Sequence, residues 1–131
     1  MKLKAKQLLL VFVGVLFLSC SNSQQNNTAI KVVSPQEFKQ LSNQKTIIDI
    51  RTPGEFAQGH IEGAVNINYF DKNFINKIAE FNKNEPLFVY CRSGNRTSSA
   101  SRKIANMGFT QIYDLEGGMI NWVRNKNQLV K

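Results

Sequence analysis

A chain of 131 residues leaves room for one domain and short flanking segments, with 42% apolar and 20% charged residues, the ordinary range of a globular protein. Two cysteines, Cys20 and Cys91, are too few for the disulfide framework of a small secreted domain. The 17 basic and 9 acidic residues give a net charge of +8, but no Lys/Arg stripe interleaved with aromatics marks a nucleic-acid footprint.

The chain opens like an export signal. Lys2, Lys4 and Lys6 form a positive start, and Leu8 to Leu18 is an apolar run. That run is short of the roughly 20 residues a membrane-spanning helix needs, and it suits the apolar centre of a signal peptide. Leu18-Ser19-Cys20 then turns abruptly polar and resembles a bacterial lipobox, in which cleavage precedes an acylated cysteine. The expected organisation is a signal peptide over 1–19, a lipidated Cys20 with a flexible spacer over 20–28, and a folded domain over 29–131. An ordinary secretory signal cleaved elsewhere, or an uncleaved anchor, is the alternative. Ser21 to Thr28 contains no apolar residue and cannot bury enough surface to fold. Lipidation places the protein in the bacterial cell envelope, at a periplasmic or outer-membrane face. Loss of the three signal lysines leaves 14 basic against 9 acidic residues, a net +5 that favours small anionic substrates.

The domain alternates strand and helix signals. Ile30 to Val33 reads as a strand. Ser34-Pro35-Gln36-Glu37 opens a helix, with Ser34 as N-cap, Pro35 in the first turn and Glu37 closing a capping box. Thr46 to Ile50 is an apolar strand, and Thr52-Pro53-Gly54-Glu55 repeats the helix-start chemistry. Ala64 to Ile67 is a third strand. Phe74, Ile78 and Phe81 follow at helical spacing, and Pro86 ends that segment. Leu87 to Tyr90 is a fourth strand. A helix from Asn95 to Met107 buries Ala100, Ile104 and Met107 and stops at Gly108. Gln111 to Asp114 is a fifth strand and Met119 to Asn125 a last helix, while Asn125 to Lys131 has no assignable role. Strands alternating with helices predict an α/β fold: a mainly parallel five-stranded sheet with helices on both faces, ligands binding at the carboxyl ends of the strands.

Two segments leave the sheet at such ends. The first is Cys91-Arg92-Ser93-Gly94-Asn95-Arg96-Thr97, between the fourth strand and the long helix. A cysteine at a helix N-terminus meets the positive end of the dipole and free backbone N–H groups, which favour thiolate over thiol. Arg92 and Arg96 add positive charge, and Gly94 allows a tight bend that points successive N–H groups at one atom. The competing reading, a buried small hydrophobe, fits poorly with arginines and a glycine around Cys91. The second segment runs from Asp49 to Phe56 and on through Gly59-His60-Ile61. Asp49 and Arg51 are expected as a structural ion pair supporting the loops. His60, the only histidine, is expected to bond the backbone, and one histidine builds no metal site alone. Cys20 and Cys91 are read as separate chemistries, with a Cys20–Cys91 disulfide as the alternative.

Four stretches in order carry a family resemblance: Asp49-Ile-Arg51-Thr-Pro-Gly-Glu-Phe56, Gly59-His60-Ile-Glu-Gly-Ala64, Cys91-Arg-Ser-Gly-Asn-Arg96 and Leu115-Glu-Gly-Gly118 followed by Trp122. Together they resemble a single-domain rhodanese, over about Ile30 to Val130. The resemblance implies a rhodanese-like three-layer fold and a double-displacement sulfur transfer. Cys91 would attack the sulfane sulfur of a donor such as thiosulfate, form a persulfide and pass the sulfur to a thiol or cyanide. The N–H groups from Arg92 to Thr97 would cradle the persulfide, and Arg92 and Arg96 would bind the anionic donor. No cofactor and no metal are implied, and a monomer is assumed. Cysteine phosphatases of related fold resemble one another in having five residues between cysteine and arginine. Here Arg92 to Asn95 make four, and Tyr90 stands where those enzymes resemble one another in carrying histidine, so a phosphatase is the weaker reading. A sulfur carrier or binding module serving a partner protein is the main alternative. A redox thiol is disfavoured because no second cysteine lies nearby.

Overall fold

The computed structural model describes residues 29–131; the expected signal peptide, Cys20 and the expected spacer lie outside the described residues. Ten elements follow in chain order: β1 (Ile30–Val33), α1 (Pro35–Leu41), β2 (Thr46–Asp49), α2 (Pro53–Gln58), β3 (Val65–Asn66), α3 (Phe74–Ile78), β4 (Leu87–Tyr90), α4 (Asn95–Asn106), β5 (Ile112–Leu115) and α5 (Gly118–Arg124). The strands form one sheet in the order β1-β5-β4-β2-β3, and every pairing in it is parallel. Central β4 reads Leu-Phe-Val-Tyr and is buried on both faces, as a parallel strand covered by helices must be.

Strand alternation divides the core in two. Leu87 and Val89 join Ile48, Ile112, Ala100 and Ile104 on the face that α3 and α4 cover. Phe88, Tyr90, Ile47 and Leu115 join Phe38, Met119 and Trp122 on the face under α1 and α5. There Phe38 is fully buried, its ring edge-on to Phe88, Tyr90 and Trp122 at centroid distances of 5.3, 6.4 and 6.1 Å.

Both helix starts form as their chemistry dictates. The Ser34 and Thr52 hydroxyls accept the N–H groups of Glu37 and Glu55, whose carboxylates bond back to the cap backbone. Other boundaries move. The Phe74 helix ends at Ile78, and Phe81 packs against the core from beyond it. The third strand shrinks to Val65–Asn66, because only Ile48 and Asp49 offer it a ladder. The tail after Asn125 has a place after all: Val130 pairs with His60 through two 2.9 Å backbone bonds, and the Gln128 carbonyl accepts the Trp122 indole N–H at 3.1 Å.

Candidate functional site

Cys91 follows β4 directly and sits, fully buried, at the carboxyl edge of the sheet. The chain then turns through Gly94, at φ +95°, into α4. This left-handed conformation suits glycine, and it aims the Gly94 N–H at Cys91 Sγ, 3.1 Å away. Thr97 Oγ1 lies 3.7 Å from the same sulfur and donates to the Gly94 carbonyl at 3.1 Å. Among the described residues, no acceptor pairs with the N–H groups of Arg92, Ser93, Asn95, Arg96 or Thr97. Neither does a side chain cap α4. The helix therefore presents its free N–H groups and positive dipole end toward the sulfur's loop.

The opposite wall explains the double glycine. The N–H groups of Met119 and Ile120, in the first turn of α5, donate to the carbonyls of Cys91 and Arg92 at 2.9 and 3.0 Å. In a trans peptide C=O and N–H point opposite ways, so this contact turns the N–H groups of Arg92 and Ser93 away from α5. Such closeness admits no side chain at Gly118: a Cβ there would lie 2.5 Å from the Cys91 carbonyl oxygen. Gly118 also has φ +57°.

Charge is distributed unevenly around the loop. Arg92 is exposed and makes no ion pair among the described residues. Arg96 makes a two-pronged bond to Glu55, Nη1 to Oε2 at 2.8 Å and Nη2 to Oε1 at 2.7 Å. The guanidinium of Arg96 pulls the Glu55 carboxyl down to about 2, and Glu55 in turn raises Arg96. Arg96 also stands 5.7 Å over the ring of Phe70, an exposed aromatic. Sequence reading placed Arg96 on a donor anion and Glu55 only in a helix cap; the fold joins the two, so the Arg96 charge is already shared with Glu55.

Asp49 and Arg51 do not meet the sulfur loop by any hydrogen bond. They form a buried pair, Nη2 to Oδ2 at 2.6 Å, and Arg51 also donates to the Gly59 carbonyl at 2.7 Å. The pair ties the end of β2 to the loop before β3. Burial opposes the charge on Arg51, but Asp49 outweighs it and holds the guanidinium above its ordinary range. Tyr90, on the other face from Cys91, accepts the Ile61 N–H at 3.1 Å, and burial with the Asp49 charge pushes its phenol far up. His60 stacks on Phe56 at 3.7 Å, with Nδ1 3.2 Å from the Phe56 carbonyl. Ser93 and Asn95 are exposed at the rim.

Sequence reading missed Asp114. It stands on the inner row of β5, buried, where burial pushes its carboxyl up to about 6 against the pull of Thr97. The signal was one acid in an otherwise apolar strand. Among the described residues no cluster of three or more His, Cys, Asp or Glu side chains could hold a metal ion.

Comparison with known proteins agrees with this geometry. Residues 34–125 match the rhodanese-like domain family. The chain is 37% identical over 94 residues to a thiosulfate sulfurtransferase GlpE of Ectopseudomonas mendocina, covering 70% of this chain and 84% of that one. It is 33% identical over 88 residues to thiosulfate sulfurtransferase 16 of Arabidopsis thaliana, covering 60% and 73%. Among solved structures, a rhodanese-like domain protein from Staphylococcus aureus superposes with a TM-score of 0.62 at 28% identity, over 70% of this chain and 90% of that one. A rhodanese-related protein from Thermoplasma volcanium shares the fold, with a TM-score of 0.69 at 24% identity, over 76% and 97%. The chain therefore belongs to the rhodanese family, whose chemistry is sulfur transfer, and carries a rhodanese-like transferase domain.

Proposed function

We propose that this protein takes sulfane sulfur from thiosulfate, or a related small anionic donor, onto Cys91 and hands it to a thiol or to cyanide. The observation that carries the reading is the Cys91 sulfur beside a loop that gives it one N–H, from Gly94 at 3.1 Å, while the N–H groups of Arg92, Ser93, Asn95, Arg96 and Thr97 find no acceptor among the described residues. The Cys91 thiolate attacks the outer sulfur of the donor. A new S–S bond forms to Cys91, the bond to the sulfonate sulfur breaks, and its electron pair leaves on sulfite. The persulfide anion lies where Gly94 and its neighbours can donate to it. An acceptor thiolate or cyanide then attacks the outer sulfur, and Cys91 leaves as thiolate. Charge balances at each step, and no external oxidant is needed. Arg92, which has no carboxylate partner among the described residues, meets the donor's oxygens, and Arg96 adds a second positive charge to the loop.

Thiocyanate formation from thiosulfate and cyanide tests the reading: the native protein turns over, and Cys91→Ser gives none while keeping its melting temperature. Turnover by the serine variant would contradict it. We also propose that Cys20, acylated, holds the domain at an envelope membrane; support comes from the Lys2–Cys20 sequence. Cys20→Ala is expected to move the protein from the membrane to the soluble fraction, and continued membrane fractionation would refute the anchor.

A further inference from the structure

The segment that leaves β3 runs over the same edge of the sheet as Cys91. The Ile50 N–H donates to the Tyr90 carbonyl at 3.0 Å, and the Tyr69 N–H donates to the Ile50 carbonyl at 2.9 Å. Tyr69 therefore extends the sheet one strand beyond Ile50, about 10 Å from the backbone of Tyr90 at the usual spacing of neighbouring strands. Phe70 comes next and is 67% exposed, while every other phenylalanine among the described residues is buried or half-buried. A tight turn holds it there: Asn68 accepts the Phe70 N–H on Oδ1 at 3.1 Å and the Asp71 N–H on its carbonyl at 3.0 Å. The Arg96 guanidinium stands 5.7 Å over the ring and is itself fixed by both carboxylate oxygens of Glu55. The ring is thus set beside the sulfur loop with apolar surface left to water.

We propose that Phe70 selects the sulfur acceptor: it receives the apolar body of an organic thiol, such as an aryl ring, while that thiol's sulfur discharges Cys91. The inference rests on the reading of Cys91 as the sulfur carrier. The loop arginines, Arg92 and Arg96, suit an anionic donor. An aromatic ring offers a small oxyanion nothing, and cyanide is too small to touch both the ring and the sulfur. A thiol with an apolar body uses both features. Its body packs on the exposed surface of Phe70 that Arg96 leaves open, and its sulfur meets the outer sulfur of the persulfide. The acceptor thiolate R–S⁻ attacks that outer sulfur and forms R–S–S⁻. The bond to Cys91 Sγ breaks, and its electron pair stays on Cys91 as thiolate. No oxidant or reductant enters. Apolar surface leaves water as the acceptor binds, so the gain appears in acceptor kcat/KM and not in the use of the donor.

The test starts from the full-length protein loaded with sulfur by thiosulfate and freed of excess donor. Benzyl mercaptan and 2-mercaptoethanol, thiols of similar acidity but different apolar surface, then discharge it in separate reactions, and intact mass follows the loss of sulfur. The native second-order rate with benzyl mercaptan is expected to be about tenfold that with 2-mercaptoethanol. Both thiols meet the same loaded sulfur, so any effect of a variant on loading or on the surroundings of Cys91 cancels in this ratio. Phe70→Ala is expected to bring the ratio down to about twofold, while Phe70→Tyr keeps it. Equal rates in the native protein, or a ratio in Phe70→Ala as large as native, would overturn the proposal. Sulfur that loads and is discharged by cyanide, but with a thiol ratio untouched at Phe70, overturns the role of Phe70 alone. A chain that takes no sulfur from thiosulfate overturns that role together with the Cys91 reading.

Discussion

At the scale of single residues, the charges near the sulfur differ in what they hold. Arg96→Ala removes a cation from the loop and strands the Glu55 carboxylate beside it. The Km for thiosulfate is expected to rise by about tenfold, the effect of one lost charged hydrogen bond; an unchanged dependence on thiosulfate would deny Arg96 that role. Arg51→Ala has a different consequence. It leaves Asp49 fully buried without its partner, so it is expected to cost about 3–5 kcal/mol in denaturant unfolding, with Cys91 chemistry intact in whatever remains folded. Asp114 gives a stability signature of its own. An acid whose folded value is raised stabilises the fold only while protonated. The contribution is therefore full below its ordinary 3.8 and is lost as pH rises through about 6. Unfolding free energy is expected to drop by up to about 3 kcal/mol across that window, and to stay flat there in Asp114→Asn. The Cys91 loop was legible because its chemistry is contiguous in sequence. Glu55 and Asp114 were not, since one meets Arg96 across 41 residues and the other matters only through the packing of α4 on β5.

At the scale of elements, the first turn of α5 fixes the sulfur loop, and the fit depends on the missing side chain of Gly118. Gly118→Ala would drive a Cβ into the Cys91 and Arg92 carbonyls. It is expected to lower turnover more than stability, because the carbonyls it displaces set the direction of the loop N–H groups. Equal turnover in native and Gly118→Ala protein would contradict that account. Under the other face, Phe38→Ala opens a cavity among Phe88, Tyr90 and Trp122, and about 3–5 kcal/mol of unfolding free energy should be lost. Helix starts were readable because caps are local: Ser34 with Glu37, Thr52 with Glu55. The ends of β3 and α3 were not, because a strand's length is set by its neighbour and a helix's by the core it covers.

At the scale of the whole molecule, a covered parallel sheet places one loop, after central β4, between the N-termini of α4 and α5. The fold class followed from the alternation of strand and helix signals, while the C-terminal tail, pinned to His60 across the domain, carried no local pattern to read. The first turn of α5 holds the loop carbonyls, the turn into α4 puts the Gly94 N–H on the Cys91 sulfur, and what that sulfur carries is the central question. The most direct measurement is the intact mass of the purified protein before and after thiosulfate, with cyanide added last. The protein is expected to gain one sulfur atom, located on Cys91 by peptide mapping and removed by cyanide as thiocyanate. A folded, reduced protein that gains no sulfur, or gains it elsewhere than on Cys91, would contradict it.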